Sequence, residues 1–222
     1  MATTLPPTTS TIRTANTYDT ENYTRRKLVP TTKVNYVPSF HIANIEGLTS
    51  RIAQFKKIPF LREECLKNKP YFLAFAESHL KDNIKDAEFQ MPNYSHAASH
   101  RQRRKGGGVI IYINNELTYQ TLISASDEMC SIVAVYINEL SLIVFMVYRP
   151  PPDYDTCYHG EVLEKSFNTI VIENIYKIMK EYESPTPDII LSGDFNFPKA
   201  VWKHGIGEAF GNTRSEKILS NI

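Results

Sequence analysis

The apolar run Asp188-Ile189-Ile190-Leu191 stops at Ser192-Gly193-Asp194-Phe195-Asn196. Such a run, closed by glycine, reads as a buried strand ending in a tight turn, which delivers the next residues to the open edge of a sheet. Those residues include a carboxylate and a carboxamide two positions apart. If strand geometry continues, Asp194 and Asn196 point the same way, one suited to hold a proton or a cation and the other to hydrogen-bond an oxyanion. A Gly-Asp turn after a strand is also common as plain structure, so the motif gains meaning only from what else the chain places at strand ends.

The same pattern recurs three times. Phe40–Asn44 reads as a strand leading into Ala43-Asn44-Ile45-Glu46-Gly47-Leu48. Tyr71–Ala76 is a continuous apolar run bounded by Pro70 and Glu77, as expected of a strand buried on both faces, and it leads into Glu77-Ser78-His79-Leu80. Ser131–Ile137 turns through Asn138-Glu139-Leu140 into Ser141–Tyr148, which ends at Tyr148-Arg149-Pro150-Pro151. Gly106-Gly107-Gly108 opens Val109–Ile113, the second arm of a hairpin. The period Leu48, Ile52, Phe55, Ile58, Leu61 predicts a helix that Pro59 kinks or divides. A longer helix is predicted over Glu161–Glu183, with Leu163, Phe167, Ile170, Asn174, Ile178 and Tyr182 along one side, and Thr213 and Glu216 have the capping-box spacing of a further helix start. Strand runs interrupted by two helical segments predict an α/β sandwich with sheets inside and helices outside.

The 222 residues, 42% of them hydrophobic, suffice for one domain core or for one domain and a tail. Residues 1–38 are rich in Thr, carry Pro6-Pro7 and Arg25-Arg26-Lys27, and show no sustained apolar period, so they read as a disordered leader to a domain spanning 39–222. The basic cluster there is a localisation or DNA-contacting element, or a solvated charge run. A net charge of +1 makes no case for nucleic acid by bulk charge. Any such case rests on local clustering, and inside the domain the dense basic run is Arg101, Arg103, Arg104 and Lys105. It reads equally as a phosphate-contacting loop and as a solubilising one. Cys65, Cys130 and Cys157 have no Cys-x-x-Cys spacing and read as thiols of a reducing compartment. No apolar stretch approaches the ~20 residues that span a bilayer, and no signal peptide is visible, so a nuclear or cytoplasmic protein with no membrane partner is expected.

Collected at the strand ends are the carboxylates Glu77 and Asp194, the carboxamides Asn44 and Asn196, the phenol of Tyr148 and the guanidinium of Arg149. No candidate nucleophilic Ser or Cys joins them. His79, His96, His100, His159 and His204 have no metal spacing and read as surface or loop residues. An oxygen-rich set of this kind suits a hard cation such as Mg²⁺, with Mn²⁺ as a substitute. The reaction class that uses it is hydrolysis of a phosphodiester or phosphomonoester by an activated water. Each residue also has a plainer reading: Glu77 as a strand-terminating surface acid, Tyr148 as a core aromatic, Asn44 as a turn residue.

The ordered set Asn44, Glu77, Tyr148-Arg149-Pro150-Pro151 and Gly193-Asp194-Phe195-Asn196 resembles the endonuclease/exonuclease/phosphatase superfamily, the fold of abasic-site endonucleases and of DNase I. Asn44-Ile45-Glu46-Gly47-Leu48, and Gly106-Gly107-Gly108-Val109 together with Tyr148-Arg149-Pro150-Pro151, resemble more narrowly the endonuclease domain of non-LTR (LINE-type) retrotransposons. The resemblance covers about Ser39 to Ile222. It implies a four-layer, DNase I-like α/β fold, a two-sheet β-sandwich flanked by helices, that nicks DNA with Mg²⁺. Glu77 would be the principal metal ligand with Asn44 beside it, Tyr148 would contact the scissile phosphate, and Asp194 would position or deprotonate the water. Asn196 would donate its amide to a phosphate oxygen as charge develops. Arg149 would be a phosphate contact or a structural ion pair. Apart from the resemblance, Arg103, Arg104 and Lys105 of the basic run are the candidates for substrate contact. The superfamily pattern continues beyond this point to a Ser-Asp-His element. Nothing after Asn196 supplies it, since His204 follows Lys203 and comes too soon. The expectation is therefore a domain lacking its C-terminal strands, with little or no nuclease activity. The alternatives are a catalytically dead module that binds nucleic acid or protein, and a phosphatase or phosphodiesterase acting on a small or lipid phosphate.

Overall fold

Successive side chains of a strand point to opposite faces, so a strand apolar at every position needs a partner on each side. In the computed structural model the described residues are 39–52, 55–81, 83–100, 106–152, 157–183, 186–197, 200–203 and 206–209, all within the unit Val34–Ile222. The predicted leader, Arg103, Arg104 and Lys105, His204, and the helix start at Thr213 lie outside them.

Twelve short strands are present among these residues. One four-stranded sheet has the order β1 (Phe40–Asn44), β4 (Phe72–Ala76), β6 (Val109–Asn114), β5 (Tyr94–Ser99). The second has the order β10 (Asp188–Asp194), β9 (Leu142–Tyr148), β8 (Ser131–Ile137), β7 (Tyr119–Ser126). Strand parity sets the layers. Phe72, Ala74, Val109, Ile111, Val133, Val135, Val144 and Met146 fill the space between the sheets. Leu73, Phe75, Ile110 and Tyr112 turn outward onto helix α1 (Lys57–Asn68) through Ile58 and Cys65, and onto the short helix α2 (Asp86–Phe89) through Phe89. On the far side Ile132, Ala134, Ile143, Phe145 and Val147 pack on the helical segment that runs from α3 (Cys157–Ser166) to α4 (Glu173–Glu181). The result is helix, sheet, sheet, helix: the predicted four-layer α/β sandwich.

Two strand pairs are parallel, β1 with β4 and β9 with β10, while the other pairs within these two sheets are antiparallel. A parallel pair needs a crossover. The chain uses α1 between β1 and β4, and the segment α3–α4 between β9 and β10. Antiparallel neighbours put their C-terminal ends at opposite edges, whereas parallel neighbours put them at the same one. The ends of β1, β4, β9 and β10 therefore gather where β1 of one sheet meets β10 of the other.

Three local expectations are corrected. The predicted helix through Leu48, Ile52 and Phe55 does not form. Residues 48–50 turn, and β2 (Arg51–Ile52) pairs with β3 (Phe55–Lys56) before α1 begins at Lys57. Pro59 lies in the first turn of α1, where an N–H would have no intrahelical acceptor, so it neither kinks nor divides the helix. The long helix starts at Cys157 and widens into a π turn, Phe167–Ile172, before α4. The wider turn moves the apolar face from the predicted Ile170 and Asn174 to Val171, Ile172 and Ile175. Beyond Asp194, β11 (Ala200–Lys203) and β12 (Ile206–Ala209) form a hairpin that the sequence reading did not foresee.

Candidate active site

The parallel register brings four residues to one level. Asn44 pairs with Ala76, the residue before Glu77, and Asp194 pairs with Tyr148. Across the gap between the sheets, the Asn44 carboxamide closes the arrangement. Its Nδ2 donates to Glu77 Oε1 at 2.9 Å and to Asp194 Oδ2 at 2.8 Å. Its Oδ1 accepts from the Glu46 backbone N–H at 3.0 Å. One amide of the first sheet thus holds two carboxylates, one from each sheet.

The two carboxylates are supported differently. Glu77 directly follows β4 in a left-handed conformation, φ 53°, and Glu46 and His79 beside it are left-handed as well. Such backbone is costly for non-glycine residues and clusters at functional sites. Lys57, at the start of α1, donates to the carbonyls of Ile45 and Glu46 and fixes the loop after Asn44. His79 presents Nε2 to Glu77 Oε2 at 3.3 Å. Its spacing in the sequence places His79 among surface or loop residues. Histidine spacing is silent here because the imidazole meets a carboxylate two residues away rather than another ligand. The available signal was the Glu-x-His pair directly after a buried strand.

Asp194 ends β10 with Arg149 N–H donating to its carbonyl at 2.8 Å. Its Oδ1 accepts from the Asn196 backbone N–H at 3.2 Å. The strand does not continue through Asn196, contrary to the geometry predicted for the motif. Asn196 is left-handed, φ 47°, and its Nδ2 donates to the Arg149 carbonyl at 2.8 Å. One Asn196 amide hydrogen remains beyond that bond. Gly193 is required by close approach: a Cβ there would stand 2.1 Å from the Val147 carbonyl oxygen across the β9–β10 pair.

Arg149 is set back from these residues. It is 3% exposed and lies beneath the Asn196 turn rather than on the rim. Its Nη2 pairs with Glu164 of α3 at 3.1 Å, and its Nη1 donates to the Asn196 and Phe195 carbonyls at 3.0 and 3.4 Å. The guanidinium carbon sits 4.4 Å from the centre of the Phe197 ring. Of the two roles expected for Arg149, the ion pair is the one formed here. Tyr148 is 5% exposed, with its ring in the cluster between the sheets directly below the rim.

Among the described residues no three His, Cys, Asp or Glu side chains form a ready-made metal cluster. The donor set nevertheless fits a hard divalent cation. Two carboxylates lie within hydrogen-bond reach of a single nitrogen, and Mg²⁺ takes few protein ligands and keeps several waters. Glu77, Asp194 and the Asn44 carboxamide are the residues that would hold it. Among the described residues, Cys65 and Cys130 are buried and in no disulfide, and burial, with Glu64 nearby, pushes the Cys65 thiol up to about 11.

Neither family models nor curated proteins match the sequence. Solved structures do match the fold. An AP endonuclease from Leishmania major superposes with a TM-score of 0.57 at 15% identity, covering 83% of this chain and 64% of that one. The catalytic domain of Xenopus laevis APE2 gives 0.55 at 12% identity, covering 82% and 67%. A 3′ phosphatase from Neisseria, solved with a product DNA hairpin, gives 0.51 at 17% identity, covering 73% and 59%. The chain spans about three fifths to two thirds of the length of these structures. At these identities the likeness establishes the fold: two mixed sheets with flanking helices, as in the DNase I-like AP endonucleases.

Proposed function

We propose that the rim formed by Asn44, Glu77 and Asp194 is a divalent-cation site for phosphodiester hydrolysis, with nucleic acid as the substrate class. The observation that carries this reading is the Asn44 carboxamide held between one carboxylate of each sheet. Nuclease and 3′-phosphatase activities of proteins with this fold support it, and a DNA hairpin in one of them supports the choice of nucleic acid. Mg²⁺ is the expected cation and Mn²⁺ a substitute. Bound there, it would screen phosphate charge and stabilise the leaving oxygen. The protein's own groups do the rest. Asp194, fixed at Oδ1 by the Asn196 N–H, orients a water and takes its proton. The remaining Asn196 amide hydrogen is available to a phosphate oxygen as charge develops. Tyr148 forms the floor beneath the phosphate. The finer assignment, target-site nicking by a non-LTR retrotransposon endonuclease, rests on the motif resemblance of Asn44–Leu48, Gly106–Val109 and Tyr148–Pro151.

A second reading is cation-dependent binding of nucleic acid without cutting. It is favoured by the orientation of His79, the imidazole of the described rim, toward Glu77 rather than Asp194. Single-turnover nicking of supercoiled plasmid, with protein in excess, separates the two. Hydrolysis predicts nicking that EDTA abolishes and that Glu77→Gln and Asp194→Asn each lower about 100-fold or more. Cation-dependent plasmid retention without nicking establishes the binding reading. Nicking that ignores EDTA and both substitutions removes the site from this rim.

A further inference from the structure

The His79 imidazole lies in a slot made by two glycines. A Cβ at Gly47 would stand 3.0 Å from Nδ1, and a Cβ at Gly106 would stand 3.4 Å from Nε2. The backbone around it is pinned from three loops. Gly47 N–H donates to the Glu77 carbonyl at 2.7 Å, Leu48 N–H to the Ser78 carbonyl at 2.9 Å, and His79 N–H to the Gly107 carbonyl at 2.9 Å. Leu48, Ser78 and Leu80 are buried on either side of it, while His79 itself keeps 35% of its side chain exposed. Left-handed backbone at both Glu77 and His79, φ 53° each, accompanies the approach of Nε2 to Glu77 Oε2. A loop that needed only to fill space would not require this geometry. Its effect is that both Glu77 oxygens face a partner, the Asn44 amide hydrogen-bonded at Oε1 and His79 Nε2 at ion-pair distance from Oε2.

We propose that His79 is a positioning residue that fixes the Glu77 carboxylate for a divalent cation; this rests on the cation-site reading above. A carboxylate held at one oxygen pivots about that contact. Held at two, it is already oriented, and groups that orient a ligating carboxylate in this way are worth about 10–100-fold in metal affinity. The glycines at 47 and 106 then have a role: they leave room for the ring that does the holding.

Calorimetric titration of the 222-residue chain with Mg²⁺ and with Mn²⁺ tests this. His79→Asn tolerates left-handed backbone, but its amide reaches only as far as the position of Nδ1. His79→Gln extends an N–H donor to the position of Nε2. The expected result is that His79→Asn weakens cation binding about 10-fold or more, that His79→Gln recovers most of the loss, and that Glu77→Gln abolishes binding. Wild-type affinity in His79→Asn, or equal weakness in both variants, overturns the proposal and leaves the cation site standing. No binding by the unmutated chain removes the cation site and the proposal together. Should His79→Asn not fold, ¹⁵N NMR of the unmutated protein decides. The His79 Nε2 resonance is expected to move with Mg²⁺ occupancy, and a resonance that ignores Mg²⁺ overturns the proposal.

Discussion

Glu77 directly follows a parallel strand and Asp194 ends one at the same rim, yet the chain holds them by opposite means. On the Glu77 side the support is backbone: left-handed residues at 46, 77 and 79, glycines that admit an imidazole, and a side chain still one-third exposed. On the Asp194 side the support is a buried charge. Arg149 ties the Asn196 turn to Glu164 of the outer helix, with Phe197 stacked on its guanidinium. The first design places its cost in local conformation, and the second in desolvation. Substitutions behind Asp194 should therefore unfold the protein, while those around Glu77 should change what the rim does.

The largest effect is expected from Gly193→Ala. The added Cβ meets the Val147 carbonyl oxygen at 2.1 Å, and both are backbone atoms of paired strands, so no side chain can yield. A loss of about 4 kcal/mol or more in urea unfolding is expected. A loss under about 1 kcal/mol would mean that β9 and β10 do not pair in this register. Glu164→Ala should come next. It strips the buried Arg149 guanidinium of its counter-ion, which costs about 3–5 kcal/mol for a fully buried pair. Glu164 keeps 24% of its side chain exposed, and Arg149 keeps its two carbonyl acceptors. The expected loss in the same measurement is therefore about 2 kcal/mol. A neutral result would equalise the two sides and end the contrast.

The contrast also explains what was legible in the sequence. Phe72–Ala76, Ser131–Ile137 and Leu142–Tyr148 are buried at every position, so composition alone marks them as strands between two layers. Glu77, after Phe72–Ala76, and Tyr148 are legible for the same reason, whereas β1 is exposed at every position and β10, expected to be buried, is at most half-buried, so Asn44 and Asp194 end strands that burial does not mark. The strands β5 and β7, Tyr94-Ser95-His96-Ala97-Ala98-Ser99 and Tyr119–Ser126, have no such run and form through pairing with a neighbour. The left-handed turn at Asn196 was missed because Arg149, forty-seven positions away, draws the loop carbonyls onto a buried guanidinium. His79 was missed because its partner is a carboxylate, and because the slot that admits it is assembled from Gly47 and Gly106, far apart in sequence. Periodicity reports burial; it does not report which distant backbone makes room for a side chain.

The smallest expected effect is the most direct test of whether the two sides form one site. Both carboxylates accept from the single Asn44 amide, so without a cation they repel one another, by about 1 kcal/mol at the near-aqueous dielectric of an exposed rim. Neutralising either one by Glu77→Gln or Asp194→Asn relieves that repulsion, and neutralising both relieves it only once. In EDTA the double variant should thus fall short of additivity by about 1 kcal/mol or less. In saturating Mg²⁺ the sign reverses. The bound ion stabilises the unmutated fold, either single substitution removes that contribution, and the second has nothing left to remove. The double variant should then be more stable than additivity predicts. A coupling that keeps its sign when Mg²⁺ is added would show that no cation joins the carboxylates. A coupling near zero under both conditions would show that Asn44 touches two sides that do not act together.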